Sequence, residues 1–192
     1  MASDDECLSG FDGGPANSII IVEFIRRYHK QILESEELVS KKDDVICALK
    51  GYLSHPDFTT QKLEKCSPSA FPALVLWVKA VGQALTFLAT EGRERELVEF
   101  KTLQAWLDSA KENGNQIEEG SAPSCKPDET TSSPSDFERS CLDMFEIADA
   151  RFARAKMSEF QEFKAMANPP EAMGRVRDAV GVLVRAAGLT GA

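Results

Sequence analysis

The sequence predicts an all-α fold: a bundle of about six or seven helices with a disordered N-terminus and an internal linker. Along most of the chain, apolar residues recur at steps of three and four, which is the spacing of amphipathic helices. The strict apolar–polar alternation of a half-buried strand competes with that spacing nowhere. Clusters of proline, glycine and serine separate the helical stretches and indicate where each one ends.

Length and composition limit the class of protein. The 192 residues suit one domain with a tail, and 43% hydrophobic with 28% charged residues are ordinary globular values. The net charge of -9 argues against binding to nucleic acid or to an anionic membrane surface. No long, uninterrupted apolar run predicts a membrane span, and the acidic N-terminus lacks the pattern of a secretory signal. Five widely spaced cysteines without a C-x-x-C pair favour reduced thiols in a cytoplasmic protein.

The first half of the chain is expected to begin with a leader and two helices. Residues 1–16 are rich in Gly, Ser and Asp, which predicts disorder. A first helix is expected over residues 17–38, where one apolar stripe runs opposite a charged face. Ser40 is expected to cap a second helix over residues 41–53.

A long apolar helix is expected to occupy the centre of the bundle. Pro56 ends the preceding helix, and a short helical segment follows it. The long helix is expected over residues 69–90, with Trp77 in the core. A helix that is apolar nearly all round needs neighbours on several sides. Three polar residues interrupt its apolar surface: Lys79, Gln83 and Thr86.

The second half is expected to contain a linker. A further helix over residues 93–111 completes a core of residues 17–112. Residues 113–135 hold almost no large apolar side chain and many Gly, Pro, Ser and Thr, which predicts a flexible linker. Residues 136–192 are expected to form two helices that pack back on the core.

These last two helices have recognisable boundaries. One is expected over residues 136–166, and Pro169-Pro170 separates it from the next. Pro170 suits the first position of the final helix, and Gly188 suits its end.

Motifs that carry chemistry are absent from the sequence. It has no P-loop, no G-x-G-x-x-G after a strand, no H-E-x-x-H and no G-x-S-x-G, so neither an enzyme nor a cofactor or metal site is expected. His29 is interpreted as part of a solvated face and His55 as a turn residue. Cys47 and Cys66 are interpreted as core residues, and Cys125 as an exposed thiol in the linker.

Two groups of cations are the candidate partner-binding residues. They stand out because the rest of the chain is acidic. The first lies in the first helix and the second in the last: Arg26, Arg27 and Lys30; Arg175, Arg177 and Arg185.

Two segments resemble the stalk and microtubule-binding tip of the dynein heavy chain. The first matches the segment that leads from the tip into the returning stalk helix, through Tyr52-Leu53, Pro56-Asp57-Phe58, Ser67 and Trp77-Val78. The second, Phe163 to Leu183, resembles the outgoing stalk helix, which a proline pair interrupts. In the family the proline pair precedes the tryptophan–valine segment, whereas here it follows. A rearranged domain would keep the two segments as neighbours.

The resemblance implies a non-catalytic binding role at the cytoskeleton, the axoneme or a cilium. Its partner would be tubulin or a dynein or axonemal component, and family members dock cationic tip helices on acidic tubulin. The alternative is a helical adaptor or assembly module that binds another protein without microtubule contact. The oligomeric state is left open.

Overall fold

The computed structural model describes residues 29–64, 70–90, 100–115, 136–156, 158 and 170–189. Throughout these ranges the regular structure is helical, which confirms the all-α expectation. Several expectations fall outside the described residues: the leader over residues 1–16, most of the linker, Cys66 and Cys125. The described elements are, in order, the helical residues 29–33, α1 (Glu36–Ser40), α2 (Lys42–Leu53), a 3-10 turn (Pro56–Phe58), α3 (Thr60–Glu64), α4 (Ala70–Thr90), α5 (Leu103–Asn115), α6 (Asp136–Arg154) and α7 (Glu171–Ala186).

The helix α4 forms the centre of the bundle, as its composition predicts. It contacts α2, α3, α5, α6 and α7, and most of its side chains are buried. Trp77 is only 1% exposed, so its place in the core is confirmed. Over Phe71–Ala89 the helix is also long and apolar enough to cross a membrane by those two criteria. Because 72% of that stretch is buried inside the protein, the packing of α4 accounts for its apolar surface.

The most extensive contact of α4 is with α6. The buried residues of α6 recur at steps of three and four, which makes one stripe along the helix. They are Cys141, Phe145, Ala148 and Phe152. Basic residues in its last turn and acidic residues in its first turn suit the helix dipole. Residues 136–154 thus form a helix that covers one side of the central helix.

The final helix, α7, lies on another side of α4. It contacts α4, as the resemblance requires, but its more extensive contact is with α2. Pro170 precedes α7 as its N-cap residue instead of filling the first helical position. At the other end Gly188 has φ of 72°, and the Leu189 and Gly188 amides donate to the carbonyls of Val184 and Arg185. This is the Schellman arrangement, and it confirms that Gly188 ends the helix.

Several predicted boundaries are wrong, and in two cases a local side chain caps the start of the observed helix. The helix expected over residues 17–38 is interrupted before Ser35, whose Oγ accepts a hydrogen bond from the Leu38 amide and so caps α1. Ser40 is not a cap: it is the last residue of α1, and Lys41 precedes α2. Residues 100–102 of the helix expected over residues 93–111 are not helical, and residues 93–99 lie outside the described residues. The helix α5 begins at Leu103, where Thr102 Oγ1 accepts a hydrogen bond from the Ala105 amide.

The fourth correction concerns α6, which ends at Arg154 instead of continuing to residue 166. Residues 155–156 are not helical, and Ala155 is buried. No proline or glycine marks this end in the sequence. The helix α5 also extends to Asn115, so the first three residues of the expected linker are helical.

Candidate functional site

Two open cavities flank α2, one on each side. The first is a groove of about 620 Å³ between α2 and α7, here called the α2–α7 groove. The second is a pocket of about 370 Å³ between α2 and α4, here called the α2–α4 pocket. Both volumes lie in the range of cavities that hold ligands or side chains of partners. The surface around α2 is therefore the candidate site.

Small residues form the floor of the α2–α7 groove. Ala48 and Gly51 lie one turn apart on α2, and Gly174 faces them from α7. A Cβ atom placed on Gly51 or on Gly174 would meet nothing within 4 Å. The two glycines are therefore not needed for close helix packing, and their missing side chains keep the groove open.

Arg175 links the two walls of the groove. Its guanidinium donates to Glu171 Oε1, at 3.1 Å from Nε and 3.0 Å from Nη2. Its Nη1 also lies 3.4 Å from the carbonyl oxygen of Gly51, in the last turn of α2. A cation near the carboxyl end of a helix interacts favourably with the helix dipole. The groove thus has a small, partly apolar floor and a charged rim.

The α2–α4 pocket has a different chemistry. Its walls include the aliphatic side chains of Ile46, Leu49 and Leu53 on α2. The residues that line it also include Lys50 and Lys79, and no residue of the lining carries a carboxylate. In a chain of net charge -9, this makes the pocket a locally cationic place.

The polar side of this pocket comes from α4. Lys79, Gln83 and Thr86 are spaced four and three apart, so they lie on one face of the helix. Burial lowers the pKa of the Lys79 amine, because desolvation disfavours the ammonium form. Lys79 Nζ donates a hydrogen bond to the carbonyl of Phe58. Gln83 Oε1 is buried and has no hydrogen-bond partner among the described residues.

The cations singled out in the sequence do not form one patch in the described structure. Arg26 and Arg27 lie outside the described residues, and Lys30 is exposed on the helical residues 29–33. Arg177 is paired with Asp178, with 2.8 Å between Nη2 and Oδ1. Arg185 lies about 15 Å along α7 from Arg175, since each helical residue rises about 1.5 Å. Of the four cations that the structure describes, Arg175 alone lines one of the two cavities.

Sequence reasoning overlooked the two lysines of the α2–α4 pocket as site residues. Lys79 was visible as one of three polar interruptions of an apolar helix, and their helical spacing places them together. Lys50 carries no such signal, because it is one of several charged residues on α2. What brings Lys50 to Lys79 is the packing of α2 on α4, which the spacing within either helix does not specify.

The histidines and cysteines are placed partly as expected. Cys47 is exposed in the α2–α7 groove, so its interpretation as a core residue is wrong, whereas Cys141 is buried. His29 is only partly exposed, with its ring centroid 6.0 Å from that of Phe152, so it does not belong to a fully solvated face. His55 is a turn residue: its Nδ1 accepts from the Asp57 amide at 3.2 Å and caps the 3-10 turn.

Within the described ranges, no three His, Cys, Asp or Glu side chains are grouped to hold a metal ion. Comparison of the chain with known protein families, with curated proteins and with solved structures found no match.

Proposed function

We propose that this protein is a non-catalytic binding module that docks an amphipathic helix of another protein in the α2–α7 groove. The observation that carries the proposal is the pair of glycines, Gly51 and Gly174, which face open space from two neighbouring helices. Glycine in a helix interior costs roughly 0.5–1 kcal/mol relative to alanine. A fold that needed the groove only for packing would gain stability from larger residues at both positions.

The shape of the groove suits a helical partner. Its two walls are the helices α2 and α7, and small residues lie on both of them, Ala48 and Gly51 on α2 and Gly174 on α7. A partner helix can approach such a floor closely and place its apolar residues there, as in other helix-in-groove complexes. The charged rim, with Glu171, Arg175 and Asp178, offers polar groups to the edges of that helix, which matches the polar rim of protein interfaces.

The proposal is tested by filling the groove. Gly174→Leu and Gly51→Leu each place a bulky side chain in open space, so the fold should remain intact by circular dichroism and thermal unfolding. Ala153→Leu, at an exposed position on α6, is the matched control. Proteins that are captured from cells by the wild-type protein and by Ala153→Leu should be lost from both glycine variants. Retention of every captured protein by Gly174→Leu would overturn the groove as the docking site.

A second candidate function is the cytoskeletal role that the dynein resemblance implies. The two resembling segments are neighbours in the fold, since α7 contacts the helix that carries Trp77. That neighbourhood supports the candidate despite the reversed order of the segments. The net charge of -9 weighs against it, because tubulin is acidic as well.

Co-sedimentation with microtubules at two salt concentrations separates the two candidates. Salt-sensitive pelleting that is weakened by Lys30→Glu or Arg175→Glu supports tubulin as the partner, since exposed charges are screened by salt. If the protein stays in the supernatant at low salt but still binds a protein partner in the α2–α7 groove, the result supports the role of a binding module without microtubule contact.

A further inference from the structure

The α2–α4 pocket has two features that imperfect packing of two helices does not explain. One wall is aliphatic, through Ile46, Leu49 and Leu53, and two lysines line the pocket without a carboxylate to pair with them. The whole chain has 31 acidic and 22 basic residues, so the absence of a carboxylate from this lining runs against the composition of the protein. Such a place favours an anion that also carries an apolar part.

Lys79 is held where it can receive an anionic group. Its side chain is half-buried, and the carbonyl of Phe58 accepts one of its hydrogen bonds. An ammonium has three donors, so two remain for a ligand or for water. Burial without a counter-charge disfavours the charged amine, and an anion in the pocket would relieve that cost.

Gln83 adds a second polar group beside the same pocket. Its Oε1 is buried without a partner among the described residues, and a buried unpaired acceptor costs free energy. The Gln83 amide therefore gives the pocket a neutral polar group, while its cationic groups are the two lysines.

We propose that the α2–α4 pocket binds an aliphatic carboxylate, with the carboxylate toward Lys79 and Lys50 and the hydrocarbon chain against the leucine and isoleucine wall. A cavity of about 370 Å³ is near the lower end of the range for small-molecule sites, so the ligand is a medium-chain acid rather than a long lipid. This site lies on the opposite side of α2 from the groove of the proposed function and does not depend on it.

The test uses octanoate as the probe, with the full-length protein and isothermal titration calorimetry. Octanol and octylammonium are the matched ligands that keep the chain and change the head group. Octanoate should bind, octanol should bind at least tenfold more weakly, and octylammonium should not bind. Each methylene removed from the acid should weaken binding about fourfold while the chain remains within the pocket. Equal binding of octanoate and octanol, or no octanoate binding at millimolar concentration, would overturn the proposal.

Variants then assign the head group to its partners. Lys79→Met keeps the length and apolar stem of the side chain, so the fold should persist by circular dichroism, while octanoate affinity should fall at least tenfold. Lys30→Met, an exposed lysine on residues 29–33, is the control and should bind as the wild type does. Should Lys79→Met unfold, Lys50→Met carries the same test, because Lys50 is exposed and lies in the same lining. Unchanged affinity in a folded Lys79→Met or Lys50→Met variant would remove the electrostatic basis of the site.

Discussion

Ser35 and Ala187 are 152 positions apart in the chain, and the hydroxyl of Ser35 donates a hydrogen bond to the carbonyl of Ala187 at 3.1 Å. The same oxygen accepts a hydrogen bond from the Leu38 amide at 3.3 Å. The last carbonyls of a helix have no partner within it, and Ser35 satisfies one of them at the end of α7. One side chain therefore caps α1 and ties it to the final helix.

We expect Ser35→Ala to lower the free energy of unfolding by about 1–2 kcal/mol, because it removes a helix cap and a tertiary hydrogen bond together. Urea unfolding followed by circular dichroism measures the loss. Ser40→Ala is the matched control in the same helix, since its exposed hydroxyl bonds only to the carbonyl of Glu37 three residues earlier. Equal losses in the two variants would show that the contact with Ala187 contributes nothing.

The same contact makes a prediction about chain order. Because Ser35 touches Ala187, an early and a late part of the described chain lie side by side. We expect a permuted chain, which begins at residue 126, continues from residue 192 into residue 1 and ends at residue 125, to reach the same helical fold. Its segments would then follow the order of the dynein tip.

Circular dichroism and denaturant unfolding of the permuted chain are the measurement. Cooperative unfolding with wild-type helix content is the expected result. A permuted chain opened within α4, between residues 80 and 81, is the control and should fail, since that cut divides the central helix. The prediction would be contradicted if the chain that begins at residue 126 also failed to unfold cooperatively, as is expected of the chain opened within α4.

The fold was largely predictable from the sequence because one helix dominates it. The stretch over residues 70–90 is so apolar that only a central position buries it, and its contacts agree. The breaks at Ser35 and Thr102 were missed because a serine or threonine is tolerated inside a helix as well as at its cap. Only the path of the chain decides which role each one takes.

The candidate site was less predictable than the fold. Its cavities lie between α2 and its two neighbours, and they depend on how far apart the helices pack. Helical periodicity identifies the buried face of each helix but not its partner, so the extensive contact of α7 with α2 was not foreseen. Cys47 illustrates the same limit: it adjoins the apolar face of α2 yet points into an open groove.

We expect Trp77→Ala to destabilise the protein by about 3–5 kcal/mol, as other large truncations in cores do. Trp77 is 1% exposed, and its Nε1 has no hydrogen-bond partner within the described structure, so its contribution is packing. Trp77→Phe should therefore recover most of the loss. Thermal unfolding provides the measurement, with Ile147→Ala at a half-exposed position on α6 as the control. A melting temperature of Trp77→Ala equal to that of the control would contradict the core assignment.

The lowered pKa of Lys79 predicts a pH dependence of stability. Between the pKa of the folded state and that of the unfolded state, the unfolded chain binds more protons, so stability rises with pH across that interval. Lys79→Met removes this term. We therefore expect the free energy of unfolding of the wild type to increase relative to that of Lys79→Met as the pH is raised from neutral toward about 10.

Denaturant unfolding at several pH values measures this difference. Lys111→Met, at an exposed position on α5, is the control. Its free energy of unfolding shows how stability changes with pH when an exposed lysine is replaced and Lys79 is kept. The opposite trend, in which the wild type loses stability relative to Lys79→Met as the pH rises, would mean that the folded state favours the charged amine.

The composition of residues 113–135 predicts the first site of cleavage in limited proteolysis, and the described helix contacts predict that the two products stay together. We expect cuts beyond Asn115, where α5 ends, and two fragments that elute as one species from a sizing column in native buffer. They should remain associated because α6 lies along α4 and α7 packs on α2, so each C-terminal helix has its main partner in the other fragment. Phe145→Ala, which truncates a buried residue on α6, should let the fragments separate at lower urea than the wild-type pair does. Fragments that separate in native buffer would show that the covalent connection, and not helix packing, holds the two halves together.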